Sequence, residues 1–486
     1  MPKSEYEVIA TRANPTYDVR KEQNLVNLTG YYGGQEYIDL RLTRFAGEAE
    51  SDFEGDTRND GSTIIGRKHQ AHVVPHLTRI VDKINEYVFG TEPIRDGVDP
   101  EFVRDITNDG KSLDDLMIEV NTLITVHGWC WIGIDAPTVN TNEEISQADK
   151  EIMGLKPYWT VYSALEVVDW YAIDGKLQWL ITEGVDYNGS DPKVEPTAVK
   201  YRKLWEPGQV TTYYFKNDST IDFEEVTPIN YPKVPFVLVG QISNKPHGFD
   251  NLESINRTIL DLESVNRQNF FNCVFPQMYL PLSVLDSVTQ KFNVTAEQAV
   301  TMIMGYSYPI FLSEGDKEPG YVMPDSSATG SIRTELIDLK KELYDAVGMM
   351  LRQETKAAVS AESKAFDHLD VEQVMCNRAK ILEDAESKAQ KIAKEWDASY
   401  PEWEPQYNRD FDISDFALTM EALITASNTP MPVEMHRMIL KEIVDIVDQQ
   451  SQMNDADKKL IVAAIDNYKI TEDIKVIEDG INNNTP

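Results

Sequence analysis

Positive charge is what this chain has least of. Its 486 residues carry 46 Lys and Arg against 81 Asp and Glu, a net charge of −35 with neutral histidines. Tight phosphate binding needs a basic surface, so this balance excludes a protein that grips nucleic acid by bulk charge. It argues equally against docking on an anionic membrane. Cysteine is scarce: Cys130, Cys273 and Cys376 are too few and too scattered for a disulfide framework or a Cys-rich zinc site. Long apolar runs are missing as well. The longest uncharged stretch, Gln268 to Leu285, holds Asn272, Pro276 and Pro281 and makes a poor membrane span. The opening residues, MPKSEYEVIATRANPTYD, lack the apolar segment of a secretory signal. HExxH, GxSxG and GxGxxG do not occur. The expectation is a soluble protein made inside a cell, with roughly three structural units at about 150 residues each and 41% hydrophobic residues to fill their cores.

What is present alternates in character along the chain. The first 60 residues read as polar and turn-rich, with Asp52 to Gly61 an exposed loop. Pro75 opens a helical pattern with Leu77, Ile80, Val81 and Ile84 on one face, and a second helix spans Leu113 to Val126. Short aromatic and β-branched runs follow: Trp129–Ile134, Tyr158–Tyr162, Val167–Tyr171, Gln178–Glu183, Val199–Trp205, Thr211–Phe215 and Val234–Val239. Residues 1 to about 245 therefore read as an α+β unit with an antiparallel sheet. From Asp250 the helical period returns through Leu252, Ile255, Ile259 and Leu262.

Cys273 to Asp325 is mixed, with extended pieces at Phe275–Leu282, Tyr308–Leu312 and Pro319–Pro324 and a short helix near Ala296–Met304. Then Ile332, Leu336, Leu339, Leu343, Ala346 and Met350 make a narrow apolar seam, a pattern that suits packing against other helices. A monomer is expected to leave this seam exposed. A small-residue segment, Gln353 to Ser363, precedes a helix from about Lys364 to Trp396, and an extended piece at Gln406–Phe411 follows it. Helices at Ser414–Ser427, Val433–Gln449 and Asp455–Tyr468 close the chain. The region 401–486 has 17 acids and 7 bases, so it holds −10 of the −35.

Several clusters invite a chemical reading. His69, His72 and His76 lie close together, but Pro75 interrupts them and no carboxylate or thiol joins them, so a metal site is not expected. The run from Gly61 to Lys68 nearly matches a phosphate-binding loop. Arg67 follows the second glycine where lysine is required, and no Ser or Thr comes next to hold magnesium. Cys130 follows His127 inside a Trp-rich strand, which reads as a buried structural thiol. Asp410, Asp412 and Asp415 could hold a divalent cation, although Asp412 and Asp415 equally suit the start of a helix. No catalytic residue, metal or cofactor is assigned.

Taken in order, these segments resemble a tailed-bacteriophage portal protein from about residue 75 to about 445. The resemblance rests on His127-Gly-Trp-Cys-Trp-Ile-Gly-Ile-Asp135, Pro157-Tyr-Trp, Glu166-Val-Val-Asp-Trp170, Leu204-Trp-Glu-Pro-Gly208 and Val234-Pro-Phe-Val-Leu-Val239. It continues through Asp261-Leu-Glu-Ser-Val-Asn266, Gly305 to Met323 and Glu354 to Phe366. It implies an α+β fold with a wing, a two-helix stem, a small mixed clip and a helical crown. The wing would be 1–248 with 367–412, the stem 249–272 and 328–352, the clip 273–327, the tunnel loop 353–366 and the crown 413–486. It further implies a ring of twelve copies at one capsid vertex, a virion component assembled in the host cytoplasm. Double-stranded DNA would pass through the channel. The major capsid protein, the terminase large subunit and adaptor or tail proteins would be partners, and the ATPase would be a separate chain.

A channel must let DNA slide without sticking, and a net-acidic lining disfavours anchoring phosphate contacts. Between Arg333 and Lys364 the sequence is locally neutral, with six bases and six acids. Arg333, Lys340, Lys341, Lys356 and Lys364 are the channel-lining candidates, the first three expected on a helix face opposite the seam. The alternatives are another ring protein of a head–tail junction, or a metal-dependent hydrolase using Asp410, Asp412 and Asp415.

Overall fold

The computed structural model describes residues 4–57, 63–136, 156–188, 195, 197–217, 220–229, 231–274, 277–293, 295, 310–312, 320–322, 326–346, 361–409, 423, 432–451 and 455–466. The chain divides into two compact units, Met1–Arg409 and Asp410–Pro486.

The amino terminus is helical, which corrects the expectation of a turn-rich segment. Helices α1 (Glu5–Thr11), α2 (Pro15–Tyr32) and α3 (Gly34–Arg41) follow one another directly. Their starts are encoded locally. Ser4 and Glu7 form a reciprocal capping box, and Asn14 caps α2 just ahead of Pro15. Apolar periodicity fails here because, after Tyr17, the buried side of α2 is largely polar, with Arg20, Asn24, Asn27 and Thr29. Residues 52–57 are not a simple loop either, and 58–61 lie outside the described residues. A short helix α4 (Glu50–Phe53) leads into β1 (Gly55–Thr57), which pairs antiparallel with β2 (Thr63–Ile65) ahead of α5 (Arg67–Gln70).

The expected helices form as α6 (His76–Phe89) and α8 (Leu113–His127), with β3 (Ile94–Asp96) and α7 (Pro100–Val103) between them. The strands then make two sheets. In the first, β4 (Trp129–Asp135) lies between β5 (Tyr158–Tyr162) and β11 (Phe236–Gly240). The second is an antiparallel meander of β6 (Val167–Ile173), β7 (Lys176–Asn188), β8 (Thr197–Glu206), β9 (Gln209–Asn217) and β10 (Thr220–Pro228). Trp129, Trp131, Leu180, Trp205, Val210 and Phe236 share one core between them. On the meander's other side Tyr17, Val168 and Ile181 form a second cluster with Ile9 and Ala13 packed against it. Strand β10 has no counterpart in the sequence reading. It is an edge strand with Glu224 and Glu225 exposed, and such charged edges carry little apolar alternation.

Helix α9 (Gly248–Val274) follows. Beyond it, β12 (Gln277–Pro281) pairs parallel with β13 (Ile310–Leu312) and antiparallel with β14 (Gly320–Val322). Between β12 and β13 lies α10 (Leu282–Phe292), a helix that the sequence reading did not separate. Its hydroxyls mask it: Ser287 and Thr289 bond back to carbonyls one turn earlier, a habit that lowers helix propensity. The helix expected at Ala296–Met304 lies outside the described residues.

Helix α11 (Ser326–Asp345) returns alongside α9, and α12 (Ala361–Trp396) runs 36 residues, about 54 Å. Among its buried positions Ala379, Ala385, Ala389 and Ala393 are small enough for close approach to β4 and β11. The unit ends as β15 (Glu404–Gln406) pairs antiparallel with β3. In the second unit α13 (Val433–Ser451) and α14 (Asp455–Asp466) pack together, with Lys441 2.7 Å from Asp466. The helix expected at Ser414–Ser427 falls outside the described residues apart from position 423.

One buried carboxylate closes the first unit. Glu386 of α12, 0% exposed, accepts from Arg95 of β3 at 2.8 Å, Trp403 Nε1 at 2.5 Å and the Tyr407 hydroxyl at 2.7 Å. Removing it leaves Arg95 with Asp114 alone, at 2.7 Å, and leaves the Trp403 Nε1–H and Tyr407 hydroxyl without their acceptor. Glu386→Ala is expected to cost roughly 3 kcal/mol or more of unfolding free energy, read from urea titration. A loss below about 1 kcal/mol, the range of surface pairs, would contradict this role.

Candidate nucleic-acid interface

Helix α9 is held to the body by its own polar side chains. Asp250 in its first turn accepts from Arg20 at 2.6 and 2.9 Å and from Asn27 at 2.8 Å. These contacts hold the Asp250 carboxyl below its ordinary range despite burial. One turn on, Glu253 takes Arg41 at 2.7 and 2.9 Å and the Tyr37 hydroxyl at 3.1 Å. Further along, the Ser264 hydroxyl receives Arg67 at 2.6 Å.

Beyond these anchors α9 runs beside α11. Glu263 meets Lys340 at 2.7 Å, while Asn266, Arg267 and Phe270 share a hollow with Thr329 and Arg333. Residue numbers rise on one helix as they fall on the other, so the two are antiparallel. At the body end Tyr344 of α11 places its hydroxyl 3.1 Å from His76 Nδ1.

The seam lies inside this pair. Leu343 is 0% and Leu336 6% exposed, Ile332 and Leu339 are half-buried, and Ala346 is exposed. Met350 lies outside the described residues. Much of the seam is thus buried within one chain, which corrects the expectation that a monomer leaves it bare. The bases are also placed differently from the expectation. Arg333 and Lys341 are exposed, but Lys340 is half-buried and paired with Glu263. Arg333 and Lys340 lie two turns apart on the flank beside α9; Lys341 alone is on the side opposite the seam. Lys356 lies outside the described residues. Lys364 is in the first turns of α12, within a helix that begins at Ala361. The segment Ala361–Phe366 is therefore helical, in keeping with the high helix propensity of alanine. The rest of the expected tunnel loop, Gln353–Ser360, lies outside the described residues.

The acids of α11 form a pattern of their own. Glu335, Asp338, Glu342 and Asp345 succeed one another by three, four and three residues, and all are exposed. They share one flank. The spacing was visible in the sequence, but attention to the apolar seam and the bases passed over it.

The other clusters are accounted for structurally. Gly66 sits so close to the backbone that an added Cβ would lie 2.3 Å from Gly55 N and 2.4 Å from Phe53 O. Arg67 turns inward to Glu48 at 2.7 Å, and Lys68 pairs with Asp39 and Glu54. Neither is turned towards a phosphate. Cys130 is buried, and burial pushes its thiol up, away from nucleophilic use. Asp410, Asp412 and Asp415 lie outside the described residues. Among the described residues, no group of three or more His, Cys, Asp or Glu is placed to hold a metal, and no helix is long and apolar enough to cross a membrane.

No protein-family model matches the chain, and no curated protein does. It is similar to chains in three solved assemblies. The first, the virion of a native gene transfer agent (GTA) particle, gives 12% identity over 75% of this chain and 89% of that one, TM-score 0.38. The second, the neck of an empty GTA particle computed with C6 symmetry, gives 11% over 75% and 90%, TM-score 0.39. The third, the neck of a native GTA particle computed with C12 symmetry, gives 10% over 80% and 89%, TM-score 0.37.

Burial sets the pH response of the body near this hairpin. Burial, with the Lys340 charge second, holds His76 down at about 4, and burial above all holds His127 at about 3. Both folded values lie below the unfolded value near 6.5. Below pH 6.5 the unfolded chain takes up protons that the folded chain refuses, so stability falls as pH falls. Each histidine is expected to cost roughly 2 kcal/mol between pH 7 and pH 5. His127→Leu should flatten the pH dependence of the urea midpoint by one histidine's share; a variant as steep as the parent would refute the assignment.

Proposed function

We propose that this chain is a portal protein of a tailed bacteriophage. Copies would form a ring around a DNA channel that serves genome packaging, retention and ejection. The observation that carries the reading is the antiparallel pair α9 and α11, which brackets the small mixed sheet β12–β14 and returns the chain to an α+β body. Its order matches the segments on which the sequence resemblance rests.

In this reading the chain is not an enzyme; the terminase large subunit supplies the motor. The major capsid protein surrounds the ring and adaptor or tail proteins replace the motor. DNA passes a lining that is acidic overall and therefore holds no phosphate tightly. Of the five candidate bases, Lys340 is engaged by Glu263. Lys341, on the side of α11 away from α9, joins Lys356 and Lys364 as the bases that would touch the backbone. Repeated around a ring, contacts of this kind guide the duplex while each remains weak.

The test is particle shape. Negative-stain images and native mass measurements of the full chain are expected to show closed rings of about twelve copies with a hole wide enough for duplex DNA. A compact monomer or dimer at micromolar concentration would overturn the reading. The same preparation should hydrolyse neither ATP nor GTP; turnover abolished by Lys68→Ala would restore the phosphate-loop interpretation.

A further inference from the structure

Charges on the α9–α11 hairpin are sorted by side. At about 100° per residue, Ile332, Leu336, Leu339 and Leu343 define the side of α11 that meets α9. Arg333 stands roughly a quarter-turn from them, in one hollow with Arg267, Asn266, Phe270 and Thr329. Phe270 is 62% exposed there, so the hollow opens to solvent. The acids Glu335, Asp338, Glu342 and Asp345 occupy the opposite quarter. Both arginines and all four acids are exposed. Among the described residues none of the six lies within ion-pair distance of an opposite charge. Lys341 shares a hollow with Asp338, Glu342 and Asp345 without reaching ion-pair distance, so the acidic stripe is only partly offset and keeps a net negative charge.

We propose that the Arg267–Arg333 flank of one copy docks on the Glu335–Asp338–Glu342–Asp345 flank of a second copy, so that successive hairpins associate head to tail. The inference rests on the ring reading above and deepens it. The two flanks are different surfaces on opposite sides of one helix, so the contact is heterologous and its repetition generates a ring instead of a twofold dimer. Arg333 precedes the middle of the acidic stripe by several residues, so neighbouring hairpins meet with an axial stagger of about 10 Å. Phe270 supplies an aromatic surface beside the arginines. A DNA duplex would answer the arginines but leave the acidic stripe unpartnered; a second copy answers both. The contact is exposed and ionic, so added salt weakens it.

Mass photometry of the full chain at about 0.15 M salt tests this with two charge-reversal variants, one carrying Arg267→Glu and Arg333→Glu, the other carrying Glu335→Arg, Asp338→Arg, Glu342→Arg and Asp345→Arg. Each alone is expected to lose rings, having two flanks of one sign. An equimolar mixture is expected to regain them, because each variant then offers the complement of the other. Rings from either variant alone, or no recovery on mixing, would overturn the contact while leaving the ring reading intact. If the arginine variant forms rings but retains a short DNA duplex less well, the arginines serve nucleic acid and the proposal is wrong. A parent protein that forms no ring defeats the underlying reading instead, a result distinct from the others.

Discussion

Burying a guanidinium is costly unless a carboxylate and further hydrogen-bond acceptors meet it, because desolvation outweighs the packing it gains. Arg20, Arg67, Arg95 and Arg202 are almost wholly buried, and each is met in this way. The pairs reach far along the chain: Arg20 joins Asp250 across 230 positions and Arg95 joins Glu386 across 291. Arg202 bonds Glu183 on the neighbouring strand and the carbonyls of Ile9 and Arg12 in the amino-terminal segment. Such pairs add little net stability compared with apolar replacements, but an arrangement that separates the partners strands a buried charge at a cost of roughly 3–5 kcal/mol. They therefore specify how α2, α9, α12 and the meander come together. Because each arginine takes a carboxylate with it, the pairs leave the net charge of −35 on the rest of the chain.

The α9–α11 hairpin inherits this constraint. Helix α9 is fixed over its first turns by Asp250 and Glu253 and again at Ser264. From Glu263 onward it also packs against α11, through the Lys340–Glu263 pair and the hollow at Arg267 and Arg333. The burial of Leu336 and Leu343 makes the two helices one unit, so the direction of the hairpin is set by buried charges at its base. Tyr344 against His76 adds a contact on the returning strand of the hairpin, where burial keeps the imidazole neutral.

Legibility in the sequence followed the chemistry of burial. Helices α6 and α8 and strands β4 to β9 bury apolar side chains on a regular period, and periodicity found them. Helix α2 buries Arg20, Asn24 and Asn27, and α10 carries hydroxyls that compete for its backbone, so neither produces an apolar stripe. Strand β10 is a charged edge. The seam was legible as a seam, but its partner was not: the same spacing serves a helix of the same chain or of another, and only the fold shows that α9 covers much of it. The face of Lys340 was misread for a related reason. Helical position places it on a flank, and Glu263, 77 residues earlier, draws it inward.

The resulting division of α11 is more informative than any single residue on it. One side is apolar and buried on α9. The next carries Arg333 and the already satisfied Lys340; the opposite flank carries four exposed acids; the remaining side presents Thr334, Ile337 and Lys341. A helix in a two-helix layer of a closed ring has four surroundings: its layer partner, two neighbours and the lumen. Neighbours related by rotation present opposite flanks to each other, so opposite charge on those flanks is self-consistent around any number of copies. A helix meant only to be solvated has no need to sort its charges, because mixed signs on each face would lower self-repulsion at no cost. Segregation keeps that repulsion in the isolated chain, and in the proposed ring association would relieve it and leave Lys341 on the side towards the axis, beside the acids with which it shares a hollow.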